Sequence, residues 1–223
     1  EIDLKENIVN VKIENLYFKV SNRSEFLILK EVFVDGVYNF NLNDEVVIFD
    51  IGMNIGISTL FFAQKSNVKN VYSYEPVDDT YNTALINIGL NNLYSSKVNA
   101  KNAGLFSSTT RQKFTYNPNN KGSFGFVGNK KFDKDSFEEK EVQLVDIKLE
   151  IGEILQHTNL PYIMKIDCEG AEYDIIPELK NILDKGNQIL FFLNRRGYST
   201  FVICSKCGYR FNCPNCSVSL IYH

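Results

Sequence analysis

The chain lacks any apolar run long enough to cross a bilayer. It lacks an excess of either charge. Its 24 Lys and Arg stand against 27 Asp and Glu, for a net charge of −3 and a pI of about 5.5. No global basic field therefore draws it to nucleic acid. The N-terminus, Glu1-Ile-Asp-Leu-Lys, has no secretory pattern and no initiator Met, so further residues are expected upstream. No internal repeat is visible. Cysteine is scarce, five in all, and four of them crowd together as Cys204, Cys207, Cys213 and Cys216. Paired C-x-x-C spacing without a secretion signal points to thiolates and metal, and to a reducing, cytoplasmic setting. What remains is an ordinary globular composition, 44% hydrophobic and 23% charged over 223 residues. That suits one domain with a small appendage.

Residues 8–20, IVNVKIENLYFKV, alternate as paired strands do. The stretch from Glu25 to Asn41 is ambiguous, although EFLILKEVF reads as a short helix. Residues 46–50 form an apolar run closed by Asp50, the pattern of a strand buried on both faces. Gly52 and Gly56 break it, and a helix is predicted over 57–66. Val71 to Tyr74 is a second strand, closed by Glu75-Pro76. Asp78 or Asp79 is expected to cap a helix running to about Asn91. A third strand is expected over Lys97 to Leu105. The polar stretch 106–140 carries Phe114 and Tyr116, then Phe124 and Phe126, each pair two apart, as in a hairpin turning near 119–122. A helix from Glu150, a strand over Tyr162 to Asp167, a helix from Ala171 broken at Pro177, and a strand over Gln188 to Asn194 complete the pattern. Strands alternating with helices predict an α/β fold with a mostly parallel sheet.

Ligands of such sheets sit at the carboxyl ends of the strands. Three strands here end in or beside an acid: Asp50, Glu75 and Asp167. Gly52 and Gly56 let the backbone bend and approach a ligand without a Cβ in the way. The spacing, G-x-N-x-G, is not the dinucleotide fingerprint, and no G-x-x-x-x-G-K-[ST] is present to cradle a triphosphate. Glu75, at the tip of the next strand, can accept hydrogen bonds from ribose hydroxyls. A nucleoside with positive charge and no phosphate fits both acids, and S-adenosylmethionine is such a ligand.

Three segments in order, VVIFDIGMNIGISTLFFA, VYSYEP and IMKIDCEGAEYDII, resemble the FkbM family of methyltransferases, over roughly residues 8–177. The resemblance implies a class I, Rossmann-like methyltransferase sheet over 46–178, preceded by an N-terminal β extension over 1–45. It implies that Asp50, Gly52, Asn54 and Gly56 line the methionine part of S-adenosylmethionine and that Glu75 holds the ribose. Asn102 and Ala103 match the segment bordering adenine. The implied reaction is methyl transfer to a hydroxyl of a sugar or secondary metabolite. Lys165, Asp167, Glu169 and Glu172 surround the strand end where the acceptor belongs, with Asp167 or Glu169 as general base. Acids at a helix start also serve the helix dipole. Phe124 and Phe126 are candidates for a sugar-facing wall or for plain packing.

The last segment, from about Leu179 to His223, resembles the primosomal replication helicase PriA across LNRRGY and the cysteine pairs. That resemblance implies two interleaved zinc sites, with each C-x-x-C pair here forming half of one. Zinc on Cys204, Cys207, Cys213 and Cys216 is one expectation, and a thiol-rich tail without metal is the other. No ATP-binding lobe accompanies Arg195 and Arg196, so helicase activity is not expected. Two resemblances meeting near residues 177–186 suggest a fusion of a shortened methyltransferase with a helicase fragment. A folded remnant without catalysis is the third reading. The main domain is expected to act on a small-molecule or glycan hydroxyl, apart from membrane and nucleic acid.

Overall fold

The computed structural model describes residues 2–3, 8–39, 44–116, 124–125, 138–168, 172–183 and 191–193. The chain parts into two compact units, Glu1–Phe192 and Leu193–His223, and the first carries the features below.

Strand β4 (Val46–Ile51) is the spine of the fold, and all six of its residues are buried. Their alternation explains the layering. Val46 and Ile48 enter one cluster with Leu60, Phe62, Val71 and Ile163, whereas Val47, Phe49 and Ile51 enter another with Ile147, Ile151, Met164 and Ile175. A strand with apolar residues on both faces must be covered twice. Helix α2 (Ile57–Ala63) belongs to the first layer, and α5 (Ile147–Gln156) and α6 (Glu172–Leu183) to the second. Each large aliphatic side chain so buried is worth about 1.5–3 kcal/mol.

Parallel strands β5 (Val68–Tyr74), β6 (Val98–Lys101) and β11 (Tyr162–Ile166) extend the sheet. With β12 (Phe191–Leu193), the order is β12-β11-β4-β5-β6. Helix α3 (Asp78–Leu90) links β5 to β6, followed by the short α4 (Asn92–Ser95). Asp78 and Asp79 do not cap α3. Val77 takes that position without a side-chain bond, and both acids sit in the first turn, where their charge suits the helix dipole.

The strand expected over 97–105 divides. Its first part remains in the main sheet as β6, and the chain then bends at Asn102-Ala103. Gly104–Phe106 continues as β7 in a second sheet of order β7-β10-β8-β9. There β10 (Glu138–Asp146) pairs parallel with β7 and antiparallel with β8 (Thr110–Tyr116), with β9 (Phe124–Gly125) beyond β8. Asp146 ends β10 and caps α5, accepting from the N–H groups of Lys148 and Leu149. Pro177 lies within α6, which continues to Leu183 rather than breaking.

The N-terminal extension is a three-stranded antiparallel sheet, β1 (Ile2–Asp3), β2 (Ile8–Ile13) and β3 (Leu16–Val20). Helix α1 (Arg23–Leu29) follows and runs into a π-helical turn, Lys30–Val34. Its start is a reciprocal cap. Asn22 accepts from the Glu25 N–H at 3.0 Å, and the buried Glu25 carboxylate accepts from the Ser21 N–H and the Asn22 amide. Asn87 of α3 and Asn91, the residue that caps its C-terminus, bind β3. Asn87 accepts from the Lys19 N–H at 2.7 Å and donates to the Lys19 carbonyl. Asn91 does the same for Tyr17, at 2.9 and 2.7 Å. Asn87 also donates to the Ile55 carbonyl at 2.9 Å, which ties the extension to the loop after β4.

The helix over 57–66, as read from the sequence, ends sooner, at Ala63. The turn near 119–122, Phe126, and the cysteines and arginines of the tail lie outside the described residues, as does Glu169. No described helix is long and apolar enough to cross a membrane.

Candidate active site

Parallel pairing sets the tips of β4 and β5 side by side, with Asp50 opposite Ser73 and Ile51 opposite Tyr74. Beyond the β4 tip the backbone bends through three left-handed residues, Gly52 (φ 80°), Asn54 (φ 52°) and Gly56 (φ 86°). Glycine is required at 52 for a second reason. A Cβ there would stand 2.0 Å from the Asp167 carbonyl oxygen at the tip of β11. Asn54 tolerates its conformation because its own side chain accepts from the Ile55 N–H at 2.7 Å. The N–H groups of Gly52 and Met53 both donate to the Tyr74 carbonyl at 3.0 Å, which fastens the turn to β5.

Glu75 completes this turn. One carboxylate oxygen accepts from the Asn54 N–H at 3.1 Å, the other from the Val77 N–H at 3.0 Å. Burial drives its pKa up to about 7, against the lowering effect of those two N–H donors and of Lys165 nearby. Each oxygen retains a lone pair for a further donor.

Asp50 is placed differently. It is wholly buried, and its side chain points to the α2 face of the sheet. One oxygen accepts from the hydroxyls of Ser58 and Thr59, each at 2.7 Å, and Thr59 in turn meets Ser73 at 2.9 Å. The other forms an ion pair at 2.9 Å with Lys165, which lies in register with Asp50 on β11. Lys165 is 3% exposed and also donates to the Gly52 carbonyl at 2.5 Å. Burial alone would lower the pKa of its ammonium. Asp50, with Tyr38 and Asp167, outweighs that and raises it. Lys165 therefore stays charged and has no lone pair with which to take a proton.

Asp167 stands half-buried at the β11 tip, its N–H bonded to the Ile51 carbonyl at 3.0 Å. Cys168 is half-buried and packs against the second core cluster. Asn102 is exposed and donates to Asp78 at 2.5 Å, while Ala103 is buried beside it. The structure thus gathers Asp50, Gly52, Asn54, Gly56, Glu75, Lys165 and Asp167 at adjoining strand tips, with Asn102 and Ala103 just past the tip of β6. Ser58, Thr59, Ser73 and Tyr38 join them, four residues that sequence reasoning missed. The signal for two of them was present, since Ser58 and Thr59 are polar residues at the start of an otherwise apolar helix. A separate groove of about 490 Å³ lies between β5, β6 and α5 on the other sheet face. In it Glu150 is held by Tyr74 and Lys101, and no candidate residue lines it.

A parallel sheet with a glycine turn at one strand tip and an acid at the next is the architecture of Rossmann-like α/β proteins. Within that class, the chain belongs to the Methyltransferase FkbM domain family, whose profile matches residues 50–211, well over half of its length. That match begins at Asp50 and runs past the join expected near 177–186. The methyltransferase sdnD of Sordaria araneosa is 27% identical over 184 residues, covering 72% of this chain and 71% of that protein. Replication restart protein PriA of Bacillus subtilis is 46% identical over 50 residues, 22% of this chain and 6% of that protein. PriA of Synechocystis is 40% identical over 87 residues, 34% and 10% respectively. The chain thus spans a tenth or less of these two PriA proteins. Among solved structures, a methyltransferase FkbM from Methylobacillus flagellatus KT aligns with 71% of this chain and 35% of its own, at 17% identity and a TM-score of 0.45.

Proposed function

We propose that the chain transfers a methyl group from S-adenosylmethionine to a hydroxyl of a sugar or secondary metabolite. The observation that carries this reading is the Asn54 N–H to Glu75 carboxylate bond, which joins the glycine turn of one strand to the acid of the next. The residues fit the cofactor. Glu75 offers acceptors to a ribose diol, and the turn offers bare backbone and no lysine for a phosphate. Gly52, Asn54 and Gly56 would border the methionine part, and Asn102 and Ala103 the base.

The bound cofactor supplies a methyl group already activated by its sulfonium. The protein's own tasks are then alignment and removal of the hydroxyl proton. Asp167, half-buried beside Gly52, is the described group best placed to accept that proton, and Glu169 is the neighbouring alternative. The family and the methyltransferase sdnD likeness support the reaction class, and a cytoplasmic setting is part of the same reading.

Calorimetric titration with S-adenosylmethionine tests the proposal. The parent chain is expected to release heat and Glu75→Ala to lose about tenfold or more in affinity, the worth of one or two hydrogen bonds to a charged group. A folded parent that gives no heat ends it.

The PriA likeness favours a second reading for the tail alone, with zinc held by Cys204, Cys207, Cys213 and Cys216. Metal analysis after dialysis against a mild chelator decides it, and a metal-free tail sinks it.

A further inference from the structure

Lys165 stands where the sequence suggested an acceptor-facing group, yet its ammonium is turned away from solvent and fully engaged. It reaches 2.9 Å to the Asp50 carboxylate and 2.5 Å to the Gly52 carbonyl. Neutralising Asp50 needs only the first contact. The second is directed at the one peptide that opens the left-handed turn. Its other restraints all come from β5 and β11, namely the Gly52 and Met53 N–H bonds to Tyr74 and the Asp167 carbonyl packed against Gly52.

We infer that Lys165 is a positioning residue that locks the Gly52 carbonyl, and with it the glycine turn, in the shape that receives the cofactor. This rests on the proposed binding of S-adenosylmethionine at that turn. A turn built on two glycines has other shapes to adopt. A charged donor beneath it removes those alternatives before the ligand arrives. Less ordering then remains at binding, and affinity rises without a new ligand contact. Ser58 and Thr59, the latter meeting Ser73, hold Asp50, and Asp50 in turn holds the ammonium under the carbonyl.

Two variants test this. Lys165→Met keeps the stem and removes the donor, but leaves Asp50 buried without its cation. The double variant Asp50→Asn/Lys165→Met removes that uncompensated charge while still leaving the Gly52 carbonyl without its donor. The double variant is expected to fold and to bind S-adenosylmethionine about tenfold to a hundredfold more weakly, the worth of one charge-assisted hydrogen bond. Amide exchange at Gly52 and Met53 is expected to quicken in both variants, with protection elsewhere in β4 retained in the double. Parent-like affinity in the double variant would show that the lysine merely neutralises Asp50 and would overturn the inference. Unchanged exchange at Gly52 and Met53 would do the same. The exchange measurement needs no cofactor, so a parent that fails to bind S-adenosylmethionine ends the proposed function and still leaves this inference decidable.

Discussion

Two carboxylates occupy neighbouring strand tips, and the protein treats them in opposite ways. Asp50 is given a cation and two hydroxyls, all buried, and its Oδ1, beside Lys165, keeps no hydrogen bond. Glu75 is given two backbone N–H groups and, among the described residues, no cation within bonding distance, at the lip of a bent loop. The contrast separates an acid held inside the sheet by side chains from an acid held at the turn by backbone N–H groups. In sequence the two look alike, each the last or next residue of an apolar strand. Their partners distinguish them.

The largest effect is expected from Asp50→Ala. Removing one member of a buried pair strands the other, at about 3–5 kcal/mol, and chemical denaturation should show that loss even without ligand. A drop under about 1 kcal/mol, the range of an exposed pair, would erase the distinction between the two acids.

The second prediction concerns Glu75 and pH. Its folded pKa, about 7, lies above its ordinary value of 4.5. The neutral form is therefore favoured by folding. That contribution is complete below about pH 4.5 and is lost as pH rises through about 7. The stability difference between parent and Glu75→Gln should change across this window in that direction. Binding has the opposite sign. Hydroxyls of a ribose donate to the charged form, so affinity for S-adenosylmethionine should strengthen as pH rises through about 7, and Glu75→Gln should flatten that rise.

A smaller effect is expected from Ser58→Ala. It removes one of two hydroxyls from the same Asp50 oxygen, at about 1.5 kcal/mol, the lower end for a bond to a charged group because Thr59 remains. Thermal unfolding checks it, and cofactor affinity should follow if the Asp50 cluster supports the turn. The smallest belongs to Lys69→Ala. Its pair with Glu45, at 2.6 Å, is shorter than the buried Lys165–Asp50 pair at 2.9 Å, but lies in solvent, with both side chains about half exposed. About 0–1 kcal/mol is expected there. A larger loss would mean that distance, not burial, sets the worth of these pairs.

Much of this site was legible in the residues. The run 46–50 announced a doubly buried strand, and the spacing of Gly52 and Gly56 announced a bend. Glu75 followed at the next strand's end. These are local signals, set by side-chain period and by glycine's freedom. Lys165 and its carbonyl partner lie 113 residues apart in the chain, and no local pattern links them. Only the parallel register of β11 on β4 does so. The division of β6 from β7 was hidden for a similar reason. Residues 97–105 are uniform enough to read as one strand, whereas the break comes from β10, which packs so closely that a Cβ on Gly104 would meet Leu144 at 2.7 Å.

One further consequence follows from the asparagines at the end of α3. The rim of a small antiparallel sheet normally displays free peptide groups, and such a rim recruits strands from other molecules. Here Asn87 and Asn91 imitate a missing strand, each amide answering a peptide of β3 with one donor and one acceptor. Two side chains thereby close this edge of the hairpin to a strand from another molecule, a service that no catalytic assay would register.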